Sequence, residues 1–487
     1  MIRTDVAVIG AGLLGCFTAR ALRRYDLSVT VFERGSDVST GISRANTGIL
    51  YSGCDTRPDT LKSRMTVRSS LAFPALCAEL SVPFLPCGSL MVSCGEQSEA
   101  ALRRKYEQGT RNGAPGLRLL SGDEARELEP GLSREITGAL LSPTTGTVDP
   151  WELCIAAFEN ARANGADFRF GQEVCALARR DGGFLVETAG ETCLARAVVN
   201  CAGLAADAVR ELLETPAVRI FPDAGDYLVL DAGAPGFPSR VIFQETEEGK
   251  GVTLVPTVDG SLLVGPTERE LGEGRPYESS ALGIEELCKL SRRVMPGLPL
   301  DRVIRNFAAV RPNPYEVEER GGVWVPREKS ISGYPIFSEN GLISFIGIKT
   351  PGLTCSQGLG EHASKLVLEY LGGAALNPAF EPRRTAIPRV RELPDGERAA
   401  LIARDGAYGE ILCRCRGITR GEVREAIARG ASSVEGVKRR VGTGMGRCQG
   451  GYCMQRIWEE LRRAGVEEPT RDGPGSPVVQ GGTYGTL

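Results

Sequence analysis

From Thr4 to Ile9 the chain runs through a short, β-branched apolar stretch, the pattern of a strand buried on both faces in a parallel sheet. Gly10, Gly12 and Gly15 follow as G-x-G-x-x-G, and from Leu13 to Arg24 the apolar positions fall on one helical stripe. A second apolar strand, Leu27 to Phe32, ends at Glu33. Each piece has a physical task. Gly10 makes the tight turn, Gly12 lets backbone approach a pyrophosphate, and Gly15 lets helix and strand pack closely. The helix N-terminus offers unpaired N–H groups to the pyrophosphate, and Glu33 stands where a carboxylate accepts ribose hydroxyls. The unit binds a dinucleotide, either NAD or FAD.

Farther along, period and punctuation alternate between helix and strand. Gly41 to Gly53 is rich in small polar residues without a clear period, as expected of a surface loop or of a loop covering a flat cofactor. Leu61–Leu80 and Glu96–Asn112 carry helical patterns, Val82–Cys94 lies between them as strand, and Ser121 to Glu124 forms a capping start. Gly146 to Trp151 opens a helix to about Asn164. Strands are expected over Glu173–Arg179, Phe184–Thr188 and Cys193–Asn200, with a hairpin turn at Asp181-Gly182-Gly183. The last of these ends in the small-residue turn Cys201-Ala202-Gly203. A second half of an FAD fold supplies such a turn, and a simple NAD domain has no use for it.

Phe221–Leu230 and Val252–Gly265 read as strands of a second, antiparallel sheet, with a turn at Asp259-Gly260. Helix Glu285–Val294, strand Phe307–Arg311, and a buried strand Leu342–Ile348 follow. The turn Lys349–Thr354 and a helix over Cys355–Leu371 then return the chain to the cofactor. The fold class is α/β (α+β). A Rossmann-type FAD-binding domain (about 1–75, 145–215 and 335–371) is interleaved with a substrate domain (about 76–144 and 216–334). A linker is expected over 372–408, a cysteine-bearing domain over 409–466, and a disordered tail over 467–487.

Composition narrows the chemistry. The 487 residues carry a net charge of −3, with no basic field for nucleic acid and no apolar run long enough to span a bilayer. The start leads directly into the first strand, leaving no room for an export signal, so a cytoplasmic protein is expected. Fifteen cysteines then imply reduced thiols and a metal rather than disulfides. The single histidine, His362, nearly excludes histidine-based catalysis.

Four cysteines stand apart. Cys413-Arg-Cys415 is followed, after 32 intervening residues, by Cys448-Gln-Gly-Gly-Tyr-Cys453, with two short helices expected between them. Two close pairs of thiolates suit a [2Fe–2S] cluster or zinc. The other eleven cysteines are expected to be small buried hydrophobes.

Taken together, Gly10–Gly15 with Glu33, Asn46–Gly53, Gly146–Pro150, Val199–Gly203, Ala309–Pro312 and Gly347–Thr354 resemble the D-amino-acid-oxidase-like superfamily of FAD-dependent oxidoreductases. Within it they resemble the catalytic subunit of anaerobic glycerol-3-phosphate dehydrogenase and the L-2-hydroxyglutarate and glycerol-3-phosphate oxidases. The cysteine module resembles the domain of bacterioferritin-associated ferredoxin, its second pair spaced by four residues as in the anaerobic dehydrogenase. The resemblance implies FAD held by Gly10, Gly12, Leu13, Gly15, Glu33 and Arg34. It also implies flavin contacts from Ser43, Asn46, Thr47 and Gly48, from Val174, Ala202 and Gly203, and from Gly347, Gly352, Leu353 and Thr354. Cys413, Cys415, Cys448 and Cys453 would hold the cluster.

The resemblance implies that Arg311 faces the substrate, where its fork could bind a carboxylate or phosphate, although a surface ion pair would also explain it. Lys349 would stand in the turn beside the flavin or be a solvated loop lysine. Tyr51 replaces the histidine of most alcohol-oxidising relatives and could act as a base only beside a cation such as Lys349. The implied activity is oxidation of a small anionic hydroxy compound, with electrons leaving through the cluster to a second flavoprotein or other electron-acceptor protein. An amino-acid or opine dehydrogenase, or a non-catalytic electron-transfer subunit, would also fit the loss of that histidine.

Overall fold

The computed structural model describes residues 1–180, 182–246, 249–271 and 277–467. The expected turn residue Asp181 and the tail from residue 468 lie outside these described residues.

Strand Ile2–Ile9 sits at the centre of an eight-stranded sheet. It pairs in parallel with Val29–Glu33 on one side and Thr192–Asn200 on the other, so that Ile9 lies between Phe32 and Asn200. Parallel neighbours need crossovers, and helix Leu13–Leu22 supplies the first. Helices Pro150–Ala163 and Gly352–Leu371 pack beside it on the same face. Val6, Val8, Val31, Leu359 and Ala363 are wholly buried in the resulting core. Leu342–Phe345 joins Thr192–Asn200 in parallel and ends three residues earlier than the apolar run suggested. Ile346–Lys349 leaves the ladder and bends toward the sheet's carboxyl edge. The strand's early end frees this turn to line the site.

Among the described residues the second sheet has nine strands. Asp223–Leu230 is bordered by Val303–Arg311, with Asp223 directly opposite Arg311. Its pairs are antiparallel, except that Val241–Thr246 runs parallel to Ser89–Ser93. Gly146–Val148, expected to open a helix, is instead a short strand pairing with Ile49–Leu50, and Asp149 then caps helix Pro150–Ala163.

The stretch expected to be a linker is structured. Residues Asn377–Arg384 lie along the first domain, where Asn160 and Asn164 donate to the carbonyls of Glu381 and Pro382. Helix Asp395–Arg404 follows, and Leu401 packs with Val390 and Tyr408 in a core of their own. Beyond it the cysteine-bearing unit folds around Leu412, Ile418, Val423, Val437, Ile457 and Leu461. Thr419 and Glu422 form a capping box, Ser433 caps the next helix, and a third helix, Met454–Arg463, completes the unit. Cys175 is exposed and Cys87, Cys94 and Cys288 are only partly covered, so not every remaining cysteine is a core residue. No helix among the described residues is long and apolar enough to cross a membrane.

Candidate functional site

A cavity of about 590 Å³ opens at the carboxyl edge of the parallel sheet. That is where the ends of Ile2–Ile9, Val29–Glu33 and Thr192–Asn200 release their turns. Gly10 takes φ +98°, and a Cβ there would stand 2.6 Å from the Cys201 carbonyl oxygen. A Cβ on Gly15 would stand 1.9 Å from the Gly10 oxygen, so helix and strand touch backbone to backbone. No side chain caps the helix at Gly12, and its first amide, Leu13, donates to Ser43 Oγ at 3.0 Å. Glu33 is fixed by two backbone donors, Ala11 and Gly35, each at 2.7 Å, and lines the cavity. A long ligand with an anionic middle and a hydroxylated end fits this cradle.

Of the expected flavin contacts, Gly10, Gly12, Leu13, Glu33, Arg34, Ser43, Asn46, Thr47, Val174, Ala202, Gly203, Gly352 and Leu353 line the cavity. Gly15, Gly48, Gly347 and Thr354 do not; they build its walls. A Cβ on Gly48 would stand 2.3 Å from the Val148 oxygen, and one on Gly347 2.6 Å from Pro314. Buried Thr354 accepts from the Tyr51 amide at 3.0 Å, tying that strand to the helix. Helix Gly352–Leu371 begins at Gly352 rather than Cys355 and has no side-chain cap, so its positive end points into the cavity. Arg44, Tyr227, Tyr277 and Gln172 also line it without having been singled out, as does Pro351 within the Gly347–Thr354 turn. Arg44 stacks on Tyr277 at 5.3 Å, a pairing across 233 residues of chain that no window could show.

Tyr51, Arg311 and Lys349 meet at this cavity. The cross-strand register places Arg311 Nε 3.1 Å from Asp223 Oδ1, and a second nitrogen donates to the Thr267 carbonyl at 2.9 Å. The third nitrogen lies 3.7 Å from Glu268 Oε2, so Arg311 is ion-paired to two carboxylates while lining the cavity. Lys349 Nζ donates to Asn313 Oδ1 at 3.1 Å and to Ser330 Oγ at 2.7 Å. Burial pushes its ammonium below the ordinary lysine range; Arg311 adds to the push and Asp223 opposes it.

The surroundings of Tyr51 disfavour loss of its proton. Burial pushes its phenol well above the ordinary range, Asp55 and Tyr227 add to this, and the opposing cation is Arg311 rather than Lys349. Burial thus favours the protonated phenol, and a hydrogen bond with Thr47 works against that push. His362 does not line the cavity.

In the C-terminal unit the four expected cysteines come together. Cys415 Sγ lies 3.4 Å from Cys448 Sγ and 4.0 Å from Cys413 Sγ, and Cys413 shares a hydrogen bond with Cys453. The Gly444 amide donates to Cys413 and Cys453, and the Gly450 and Tyr452 amides donate to Cys448. Gly444 and Gly450 have φ of +73° and +89°, and a Cβ on Gly446 would stand 2.7 Å from Cys415 Sγ. Glycines therefore bring the loop backbone against the sulfurs. No three acidic, histidine or cysteine side chains among the described residues converge on one ion. Four sulfurs in a row, with amide donors around them, suit a cluster of two irons.

The two units are joined by buried charge. Asp37, four residues beyond Glu33, accepts from Arg440 at 2.6 and 2.8 Å and from Arg439 at 2.9 Å. Arg416 pairs with Asp259 at 2.6 Å. A second cavity of about 70 Å³ lies between them, lined by Trp151, Arg416 and Met445. Trp151 Nε1 also donates to the Arg44 carbonyl at 2.7 Å, so this one side chain touches the wall of the first cavity and lines the second.

A family model described as FAD dependent oxidoreductase matches residues 5–366, and one described as BFD-like [2Fe-2S] binding domain matches residues 411–463. The chain is 37% identical over 485 residues to a glycerol 3-phosphate dehydrogenase of Caloramator mitchellensis, covering 98% of each. It is 26% identical to a subunit of the anaerobic glycerol-3-phosphate dehydrogenase of Escherichia coli strain K12, covering 95% of this chain and 89% of that one. In fold it is similar to a dithionite-reduced L-alpha-glycerophosphate oxidase of Mycoplasma pneumoniae with FAD bound. There the TM-score is 0.72 and the identity 24%, over 79% of this chain and 99% of that one.

Proposed function

The chain belongs to the FAD dependent oxidoreductase family, and from that premise we propose that it oxidises glycerol 3-phosphate and exports the electrons through its C-terminal cysteines to a protein partner. When bound, FAD supplies the hydride acceptor and the [2Fe–2S] cluster a one-electron carrier. The cavity-lining set from Gly10 to Leu353 holds the flavin dinucleotide, with Gly15, Gly48, Gly347 and Thr354 shaping its walls. Cys413, Cys415, Cys448 and Cys453 hold the cluster. We divide the chain accordingly, with the oxidoreductase over 1–371 and the cysteine domain over 409–466, and with the strap between them fixed rather than loose.

Three side chains handle the substrate. The Arg311 fork takes the phosphate, because a planar guanidinium binds such a group through two parallel bonds. Tyr51 donates to the reacting hydroxyl oxygen and orients it. As the C–H electron pair leaves as hydride, the hydroxyl proton passes to the Lys349 amine, which burial keeps closer to neutral than a free lysine. The substrate loses two electrons and two protons and becomes a ketone. The partner is an electron-accepting protein, since the Escherichia coli relative is by its name one subunit of a larger enzyme. A cytosolic setting would keep the fifteen unpaired cysteines reduced.

The observation that carries this proposal is the meeting of Arg311, Lys349 and Tyr51 at one cavity, in a chain that also carries the four-cysteine unit. Anaerobic addition of glycerol 3-phosphate should bleach the visible flavin band, while L-2-hydroxyglutarate and amino acids leave it. Bleaching by either of those alone would replace the substrate, and no bleaching by any would make the chain a non-catalytic carrier.

A further inference from the structure

Cys413 and Cys453 are buried, whereas Cys448 is exposed. The surface around Cys448 has one character. Tyr452 carries two guanidinium groups, Arg414 at 4.3 Å and Arg456 at 4.2 Å from its ring centroid. Arg447, next to Cys448, is exposed as well. Nearby carboxylates are engaged elsewhere. Glu460 is held by Arg424 and Arg463, Glu410 by Arg420, and Glu459 lies 3.9 Å from Arg463. Among the described residues none pairs with Arg414, Arg447 or Arg456. Helix Met454–Arg463 adds two apolar side chains to this face, Met454 at 50% exposure and Trp458 at 37%.

Arginine, tyrosine, tryptophan and methionine are the side chains enriched where proteins dock, whereas lysine and glutamate dominate faces that only meet water. Stacking on Tyr452 also holds the two guanidinium groups in place, so little side-chain freedom is lost when a partner arrives. The face is cationic on a chain whose net charge is −3, so the attraction is local to the rim of Cys448. We propose that this face docks an acidic protein, which takes electrons one at a time at the Cys448 rim. The proposal rests on the electron export argued under Proposed function. For each substrate oxidised, two copies of the partner's one-electron centre are reduced and two protons go to solvent.

Two redox proteins of opposite charge test it: plastocyanin, an acidic copper protein, and cytochrome c, a basic haem protein. The holoenzyme is reduced with stoichiometric dithionite, so the outcome does not depend on the substrate, and is mixed with each in a stopped-flow instrument. At low ionic strength plastocyanin should be reduced at least about tenfold faster, and salt should erase the difference. Arg414→Glu with Arg456→Glu should slow plastocyanin about tenfold and speed cytochrome c, with the extent of dithionite reduction unchanged. The same variant should weaken binding of oxidised plastocyanin to the oxidised holoenzyme, read by interferometry without turnover. Equal rates, a salt-independent plastocyanin rate, or a variant that changes neither rate nor binding would overturn the docking face. Tight retention on DNA with no plastocyanin binding would reassign it. Should the plastocyanin results hold while glycerol 3-phosphate fails to bleach the flavin, the substrate falls and the docking face stands.

Discussion

In the proposed reaction Lys349 takes the hydroxyl proton and Tyr51 orients the hydroxyl oxygen. If the Lys349 amine takes the hydroxyl proton, only its neutral form works. The rate of flavin reduction should then rise with pH and level off above a pKa below the ordinary lysine range. Lys349→Met should lower that rate by roughly 10²–10⁴ and abolish the pH rise, measured by anaerobic stopped-flow. Tyr51→Phe should cost only about tenfold, the loss of one hydrogen bond, and leave the pH profile in place. A pH-independent wild-type rate would remove Lys349 from the reaction. The Gly10–Gly15 motif and Glu33 were legible in the sequence because their geometry is set within one strand–turn–helix unit. The cation that acts on Tyr51 was not. Arg311, 260 positions away, reaches the same cavity because a strand of the second sheet ends there.

At the scale of elements, helix Leu13–Leu22 depends on touching the strand it follows. Gly15→Ala places a methyl where only 1.9 Å is available to the Gly10 oxygen. The helix must move off the strand, and its N-terminus then leaves the pyrophosphate position. Purified Gly15→Ala protein should contain little FAD, and its thermal midpoint should fall with the lost cofactor; wild-type flavin content would refute this account of the turn. Most helices were legible from their period, as the ends of Leu61–Leu80 illustrate. Met454–Arg463 was not, because it starts from Cys453 with no side-chain cap, inside a stretch legible only as a metal loop. Asp395–Arg404 was hidden because the Pro- and Arg-rich stretch before it has the composition of a tether. Those arginines are in fact ion-paired to Glu152 and Glu159 of the first domain.

Across the whole molecule, the cysteine unit is held against the flavin domain by the Asp37–Arg439–Arg440 group, which is almost wholly buried. Burial alone would raise the Asp37 pKa, but Arg440 and Arg439 overcome it and hold the carboxyl below the usual range. A depressed folded-state pKa adds stability that is present above the unfolded-state value and is lost as pH falls through the folded one. Docking should therefore persist at neutral pH and fail only in acid. Asp37→Asn removes the carboxylate that accepts from Arg440 through two bonds, at a cost of about 3–5 kcal/mol. Proteolysis between the units should accelerate in that variant, and transfer from flavin to cluster should slow while substrate still bleaches the flavin. Unchanged proteolysis and transfer would show that the other contacts, Arg416 with Asp259 among them, suffice.

Asp37 belongs to the same short loop as Glu33, so one segment answers to two cofactors. Whatever order the adenosine end imposes on residues 33–37 presents Asp37 to the arginines already arranged. Thermodynamic reciprocity then requires the converse: a seated cysteine unit must raise the affinity for FAD by the factor by which FAD favours seating. If FAD orders this loop, flavin-free protein should be cleaved between the units faster than the flavin-loaded form, and equal cleavage rates in limited proteolysis would show the two sites to be uncoupled.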